Sequence, residues 1–168
     1  MHAAIRSIRW FSCSPLVLLS LAACASSPSY AIEATANYGY TWIPLPGTDS
    51  VPPYPESAKA GGIRGVVAFA VVLNDSGAVD RRTLAVLEAS DVRLLDFACP
   101  WIERAAFRNA SNNLTTPGHR LSAIAIRYSS EANAGRLVQP SRSDWTAVAR
   151  ISDAASMSAY RKVAPQCR

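Results

Sequence analysis

The side chains that most often carry out chemistry in proteins are few in this chain of 168 residues and lie far apart in its sequence. The two histidines are His2 and His119, and neither stands with a serine or cysteine in a pattern typical of a catalytic triad. Asp75 and Asp80 flank a turn, where carboxylates usually cap backbone N–H groups. The sequence therefore predicts no catalytic residues, no metal site, no cofactor and no enzyme.

Cys24 is the cysteine whose neighbours predict a modification. Arg6 and Arg9 precede an apolar run that Leu21-Ala22-Ala23-Cys24 closes, which is the layout of a bacterial lipoprotein signal peptide with its lipobox. In such sequences the cysteine is acylated and the chain is cut before it, and two or more acyl chains anchor a protein stably. We expect removal of residues 1–23, lipidation of Cys24 and a location on the periplasmic face of the cell envelope.

The sequence leaves alternatives to this lipid anchor open. An ordinary signal peptidase could cut nearby, for example after Ala31, because small residues are plentiful there. An uncleaved membrane anchor fits poorly, since the apolar run is shorter than the ~20 residues that a spanning helix needs. Ala25 stands where an aspartate favours inner-membrane retention in enteric lipoproteins, so the outer membrane is favoured over the inner membrane.

Cys99 and Cys167 are predicted to form a disulfide. Cys13 leaves with the signal peptide, so these two are the remaining thiols of an exported protein in an oxidising compartment. The alternative is that Cys99 is a small buried residue on a helix and that Cys167 lies in a frayed end. Neither cysteine has the spacing of a Cys-x-x-Cys redox motif or of zinc ligands.

The charge of the chain is weakly basic. The net charge is +5, and it falls to +3 without residues 1–23 because Arg6 and Arg9 are removed with them. No basic run with interleaved aromatic residues occurs in the sequence, so we expect no binding to nucleic acid. The mature length fits one domain with a modest hydrophobic core.

The elements that would position any site lie between Pro53 and Tyr128. The patterns first predict a short helix from Pro55 to Gly61-Gly62, followed by a buried strand over residues 66–73. A tight turn at Asn74-Asp75-Ser76-Gly77 then leads into a return strand over residues 79–89. After it come a third strand over residues 120–128 and, before that strand, an amphipathic helix that carries Leu94, Leu95, Ala98, Ile102, Ala105 and Ala106. The return strand should start late or bulge near Arg81-Arg82-Thr83. Pro100 is compatible with the second helix only if it falls in the first turn.

These residues resemble the TonB C-terminal domain family, in which helices pack on one face of a three-stranded antiparallel sheet. The matching motifs are Pro53-x-Pro55, Gly62-Ile63-Arg64-Gly65-Val66-Val67, Asp75-Ser76-Gly77-Ala78-Val79-Asp80, Leu95-Asp96-x-Ala98, Phe107-x-x-Ala110 and Gly118, over about 75 of 168 residues. Two features depart from the family: Phe107-Arg108-Asn109-Ala110 stands where Phe-x-Pro-Ala is usual, and the last strand lacks a proline before its final aromatic residue. The resemblance implies an α+β domain over residues 52–129.

The resemblance also implies a mode of binding. Domains of this family meet outer-membrane transporters by adding the extended TonB-box segment of the transporter to the edge of the small sheet, where main-chain hydrogen bonds supply the affinity. Open edges also allow two copies to pair, so a homodimer through the same strands is conceivable. The third strand would be the exposed partner-binding edge, formed by Leu121, Ser122, Ala123, Ile124, Ala125, Ile126, Arg127 and Tyr128.

Two segments flank this domain. Residues 24–51 are rich in Ser, Ala, Tyr and Pro without a sustained period, so they are predicted to be a flexible linker. Residues 130–168 are predicted to be a docked C-terminal extension, with Ser143-Asp144 capping a helix that Pro165 follows. Trp145, Val148, Ile151, Ala155 and Tyr160 would lie on that helix.

Two functions remain open on the sequence. The first is a membrane-tethered TonB-like module that binds an outer-membrane TonB-dependent transporter or another envelope protein by strand addition. The alternative is a structural cell-envelope lipoprotein that keeps the fold but binds no transporter, its edge covered by the extension through Cys99 and Cys167. Energy transduction in the family also needs a membrane-spanning helix and a long proline-rich spacer, and the sequence predicts neither.

Overall fold

The computed structural model describes residues 31–32, 42–45, 51–109, 120–151, 153–163 and 166–167. Cys24 and the whole signal segment, His119, Ala110, Gly118 and Pro165 lie outside the described residues. Within them, no helix is long and apolar enough to cross a membrane. The elements are β1 (Ala31–Ile32), β2 (Trp42–Pro44), α1 (Glu56–Ala60), β3 (Gly65–Leu73), β4 (Ala85–Ala89), α2 (Leu95–Ile102), β5 (Phe107–Asn109), β6 (Arg120–Tyr128), β7 (Arg136–Val138), α3 (Arg142–Ala149) and α4 (Ala154–Val163).

Five strands form one mixed sheet in the order β1–β6–β3–β4, with β7 on the same side of β6 as β1. The long strands β3 and β6 pair antiparallel along nine residues and form its centre. A separate two-stranded antiparallel sheet joins β2 to β5. The α+β class is confirmed, but the prediction of a three-stranded sheet was wrong because short strands from the flanking segments pair with β6.

The hairpin between β3 and β4 has the predicted tight turn. Gly77 has a φ of +80°, a left-handed conformation that favours glycine, and the side-chain oxygen of Asn74 accepts hydrogen bonds from the backbone N–H groups of Ser76 and Ala78, both at 3.0 Å. Residues 81–83 form a single 3₁₀ turn, so regular pairing of the return strand begins only at Ala85. The predicted late start is confirmed.

The first hydrophobic layer lies between one face of the sheet and helices α1 and α2. Phe69 on β3 and Ile124 and Ile126 on β6 point into it, and α2 adds the fully buried Ala98 and Ile102. Successive strand residues point to opposite faces, so these alternate positions all reach the same layer. The amphipathic helix predicted from the spacing of Leu94, Leu95, Ala98 and Ile102 is confirmed by their burial. It ends at Ile102, so the prediction that Ala105 and Ala106 also lie on it was wrong.

Pro100 lies in the last turn of α2, and the expectation that it falls in the first turn was wrong. A proline has no N–H to donate to the carbonyl four residues earlier, which here belongs to Asp96. Both Pro100 and Asp96 are exposed, so water can replace the missing donor. The helix ends two residues later, at Ile102, so only one hydrogen bond of α2 is lost in this way.

A second hydrophobic layer covers the opposite face of the sheet, which corrects the prediction of helices on one face only. Ala70 and Ala123 pair across β3 and β6, and Val148 of α3 and Met157 of α4 pack in the same buried cluster. The small alanine side chains leave room for a helix to approach the sheet closely. The C-terminal extension is therefore part of the hydrophobic core of the domain.

The C-terminal segment forms two helices where one was expected. Ser141, not Ser143, caps α3: its side chain accepts from the backbone N–H of Asp144, whose carboxylate in turn accepts from the Ser141 N–H at 2.7 Å. α3 ends at Ala149 and α4 begins at Ala154. At the start of α4, the Asp153 side chain accepts a hydrogen bond from the backbone N–H of Ser156 at 2.8 Å. The two caps explain why this segment forms two helices although its apolar spacing continues across the break.

The prediction of a flexible linker over residues 24–51 was wrong at two places. Ala31–Ile32 pairs with the start of β6, and Trp42–Pro44 pairs with β5. The pairing of β2 is continued by a hydrogen bond from the Leu45 N–H to the Ala106 carbonyl at 2.9 Å. Strands of two or three residues are too short to show a period, so the sequence pattern did not reveal them.

Candidate strand-addition edge

The predicted partner-binding strand is present as β6, and it is almost entirely buried. Ile124, Ile126 and Tyr128 face α2, whereas Leu121 and Ala123 face α3 and α4. Arg127 is the one exposed residue of the strand. The alternation expected from the sequence is confirmed, but apolar layers cover both faces, so side chains of β6 offer little to an incoming segment.

The main-chain edge of β6 is largely occupied, and the prediction of an exposed edge over residues 121–128 was wrong at both ends. Arg136–Val138 of β7 pairs antiparallel with Ala125, Ile126 and Arg127, and β1 pairs parallel with Arg120 and Leu121. Among the described residues of β6, only 122–124 and Tyr128 have no strand opposite them on this side. The flanking segments thus bond the main-chain groups that an open edge would leave unpaired.

The segment that leads into β7 is held against the core. The Gly135 N–H donates to the Pro52 carbonyl at 2.9 Å, and both residues are buried. Lys59 on α1 donates to the side chain of Asn133 at 3.2 Å, and Leu137 of β7 packs against the buried cluster around α2. The cover over β6 is therefore fixed by contacts with α1 and the core in addition to its own ladder.

Gly135 matters because no larger residue fits there. A Cβ atom at this position would lie 2.6 Å from the ring of Tyr128, 2.9 Å from the side chain of Ile126 and 2.9 Å from Pro52. Distances below 3.0 Å require the neighbours to move. The glycine thus allows the backbone of the covering segment to lie directly on the side chains of β6.

We expect Gly135→Ala to loosen the cover over β6 selectively. The overlap should lower the free energy of unfolding by about 2 kcal/mol and speed hydrogen exchange of the amides in residues 125–127 and 136–138. Urea unfolding and amide exchange measured by NMR test this. Gln139→Ala, an exposed site just beyond β7, should change stability by less than about 0.5 kcal/mol. Unchanged exchange in Gly135→Ala would mean that the close approach to Tyr128 does not hold β7.

The end of β6 carries a buried aromatic cluster. The ring of Tyr128 lies 5.3 Å from that of Tyr54 and 5.2 Å from that of Phe97, the latter in an edge-to-face arrangement. The Tyr54 hydroxyl donates to the Ile63 carbonyl at 2.7 Å. The Tyr128 hydroxyl has no hydrogen-bond partner among the described residues, and burial raises the pKa of Tyr128 well above its usual value of 10.0.

We expect Tyr128→Phe to raise the free energy of unfolding or leave it unchanged at neutral pH. At high pH the variant should be more stable than the wild type by a larger margin. Removing a buried hydroxyl without a partner should contribute up to about 1 kcal/mol. Because folding raises the pKa of Tyr128, the unfolded chain ionises above pH ~10 while the folded protein keeps the neutral phenol. The free energy of unfolding of the wild type therefore falls as the pH rises above ~10, and that of the Phe variant does not fall for this reason. Urea unfolding at about pH 8 and about pH 11 measures both effects. A clear loss of stability in Tyr128→Phe would show that the hydroxyl is bonded.

The other side of the sheet ends at β4, which is shielded in a different way. The register with β3 shifts between Ala68 and Phe69, so Leu87 is an extra residue, and Glu88 beside it is exposed. A bulge and a charge are common means of blocking pairing at an edge. No described strand pairs with the outer side of β4, but its irregular backbone is a poor template for an added strand.

The predicted disulfide is present. Cys99 on α2 and Cys167 are joined with an S–S distance of 2.03 Å and a Cα–Cα distance of 5.5 Å, so the extension is linked covalently to the core helix. Beside it, Asp91 and Arg93 form an ion pair at 2.6 Å, and the hydrogen bonds from Arg93 lower the pKa of the Asp91 carboxyl. Both of these side chains are partly solvent-exposed, so the pair is a surface contact of small energetic weight.

The described residues do not bring together a set of candidate metal ligands. No three histidine, cysteine, aspartate or glutamate side chains among them are close enough to hold a metal ion. Asp80 accepts from the Arg82 N–H at 3.1 Å, which is the capping role expected for it. His119 lies outside the described residues.

The sequence interpretation missed the residues that close the edge, and one signal could have found them. Arg136-Leu137-Val138 has β-forming residues directly after Gly135, but a run of three cannot be distinguished from a loop by its period. The glycine was the better indication, since a backbone that approaches a buried strand closely often needs one.

Comparisons with models of protein families, with curated proteins and with solved structures give no match to this chain. The resemblance to the TonB C-terminal domain family therefore stays a prediction from the motifs in the sequence.

Proposed function

We propose that this chain is a structural cell-envelope lipoprotein with a TonB C-terminal-like fold, anchored in a membrane through Cys24, and that β6 does not bind transporters. The observation that supports this most directly is the pairing of β7 with Ala125, Ile126 and Arg127. Strand addition to this edge would need the main-chain groups that β7 already occupies. A closed edge is the feature that distinguishes a structural role from the transporter-binding role.

Three further contacts support a permanent cover. The segment before β7 is bonded to Pro52, Leu137 packs on the core, and the chain after β7 continues into helices that cover the second face of the sheet. The disulfide between Cys99 and Cys167 closes this whole region into one loop. An incoming peptide would have to replace these interactions as well as three residues of ladder.

A second candidate function is the TonB-like one, in which the module engages an outer-membrane transporter or another envelope protein. The observation in its favour is that β7 is only three residues long and leaves residues 122–124 of β6 without a strand opposite. A longer segment could begin pairing there and displace β7 by strand exchange. Under this proposal the covered edge is a resting state.

An NMR titration with TonB-box peptides distinguishes the two functions. Under the structural proposal, the oxidised mature protein shows no saturable shifts, and the amides of residues 125–127 exchange slowly. A proline in β6 is unsuitable here, because β6 is a central strand and would lose its ladder with β3. Leu137→Asp, which weakens the packing of β7, is the informative variant, and Gln139→Asp is its matched control.

The possible results of the titration distinguish the structural role from transporter binding. No binding by the wild type or by Leu137→Asp supports the structural role. Saturable shifts in residues 122–128, tightened in Leu137→Asp and unchanged in Gln139→Asp, would overturn it in favour of transporter binding by strand exchange. Mass spectrometry of the amino-terminal cysteine tests the lipid anchor separately, since an unacylated Cys24 contradicts the lipoprotein under either function.

A further inference from the structure

The first residue of β1 lies at one defined end of the sheet. This strand runs parallel to β6, and Ala31 is paired with Arg120, the first residue of β6. Arg120 also pairs with Leu73, the last residue of β3, beside the turn at residues 74–77. β1 therefore begins at the end of the sheet that carries this turn, which we call the hairpin end.

The number of residues between Cys24 and Ala31 limits how far Cys24 can lie from this end. Cys24 precedes Ala31 by seven residues, and an extended chain of that length spans at most about 25 Å. A domain of this size has a radius of gyration of about 14 Å, so its diameter exceeds that span. If Cys24 carries the lipid, as the proposed function holds, the hairpin end is the part of the domain nearest the membrane.

The positive charge of the described residues is concentrated at the same end. Residues 74–82, 103–108, 120 and 161–162 carry seven basic and three acidic side chains, a net charge of +4. Residues 56–66, 88–96 and 127–136, at the opposite end, carry five of each sign and have no net charge. The four remaining charged residues of the described chain, on and between α3 and α4, are two basic and two acidic, so their charges also cancel: Arg142, Arg150, Asp144 and Asp153. The entire net charge of the described chain thus lies at the hairpin end.

Main-chain and side-chain contacts bring these basic residues to one end although they come from four parts of the sequence. Arg81 donates to the Glu103 carbonyl at 3.0 Å, and Arg161 donates to the Arg82 carbonyl. The Val79 N–H bonds to the Ala105 carbonyl at 3.3 Å and the Phe107 N–H to the Gly77 carbonyl at 2.8 Å, which place the neighbouring Arg104 and Arg108 there. Arg81, Arg82, Arg104 and Arg108 are all exposed.

We propose that the hairpin end docks on anionic phospholipid headgroups of the membrane leaflet that holds the Cys24 lipid, through Arg81, Arg82, Arg104, Arg108 and Arg120. Guanidinium groups bind phosphate well, and each basic side chain near an anionic bilayer contributes about 1 kcal/mol, or about fivefold in binding. The anchor holds the arginines within reach of the surface, and the arginines orient the domain on it. This inference rests on the lipidation in the proposed function.

The test uses full-length protein produced in bacteria, extracted from membranes and reconstituted in phosphatidylcholine vesicles with or without phosphatidylglycerol. Phenylglyoxal modification of individual arginines is followed by mass spectrometry, which also reports acylation of Cys24. We expect phosphatidylglycerol to slow modification of Arg81, Arg104 and Arg108 at least fivefold. Modification of Arg64, Arg127 and Arg136, which are also exposed, should be unchanged. High salt should remove the protection.

Two variants with equal loss of charge provide the matched comparison. The triple variant Arg81→Gln, Arg104→Gln and Arg108→Gln should lose the protection at Arg82, whereas Arg64→Gln, Arg127→Gln and Arg136→Gln should keep it. An acylated Cys24 with equal modification at both ends would overturn the docking proposal and leave the lipoprotein standing. An unacylated Cys24 would overturn the lipid anchor and the docking proposal together.

Discussion

Gly77→Ala is expected to lower the free energy of unfolding by about 4 kcal/mol, one of the two largest effects that the structure predicts. The φ of +80° at this residue is a conformation that alanine adopts only at a cost of about 1–2 kcal/mol. The added Cβ would also overlap the carbonyl oxygen of Phe107, a backbone atom that cannot rotate away. The turn or β5 must therefore move.

Moving β5 would disturb the core next to α2. The Phe107 N–H donates to the Gly77 carbonyl at 2.8 Å, and the buried ring of Phe107 packs edge-to-face on Trp101 with a centroid distance of 5.8 Å. Ala78 and Ala106 form an isolated β-bridge beside this contact. A shift of the turn thus loses a hydrogen bond and loosens two large buried side chains at once.

Gly62→Ala is the matched control for this prediction. Gly62 also has a positive φ, +65°, but no atom lies within 4 Å of the position that its Cβ would occupy. It should lose only about 1 kcal/mol, the conformational part of the effect. Urea unfolding followed by tryptophan fluorescence compares the two variants. Equal losses at both sites would show that β5 does not contact the hairpin turn.

The centre of the fold could be predicted because its signals are long. β3 and β6 each have nine residues, enough to show an apolar pattern in the sequence. The residues between β3 and β4 have a strong preference for a tight turn. The apolar spacing of α2 was likewise sufficient, although it gave no information about Pro100. Patterns of this length depend mainly on local propensity and on the burial of apolar side chains, which the sequence records directly.

The state of the candidate edge could not be predicted, because it depends on pairing with very short strands. β1 and β7 contribute two and three residues, too few for a period. β1 lies far before β6 in the sequence, whereas β7 follows β6 after a short connection. Their positions depend on the packing of Gly135 on Tyr128 and of Leu137 on the core, which exists only in the folded protein. Propensity was therefore sufficient to find the strand but not to find what covers it.

Loss of the disulfide between Cys99 and Cys167 is expected to lower the free energy of unfolding by about 4 kcal/mol. The two cysteines are 68 residues apart, and closing a loop of that length restricts the unfolded chain by about this amount in the chain-entropy model. The loop contains β6 and β7 together with both helices of the second layer. Cys99 is buried and Cys167 packs against the same cluster, so little relaxation is available around either.

Single and double substitutions separate the covalent bond from the packing of its ends. Cys99→Ala and Cys167→Ala should each lose about 4 kcal/mol in urea unfolding, because either one breaks the same bond, and the double variant should lose little more. A reducing agent should lower the stability of the wild type to that of the variants and leave the variants unchanged. Additive losses would assign the effect to packing. Faster amide hydrogen exchange at residues 125–127 in the variants would further show that the disulfide helps to keep β7 paired with β6. The same disulfide would then both stabilise the domain and keep the edge of β6 covered.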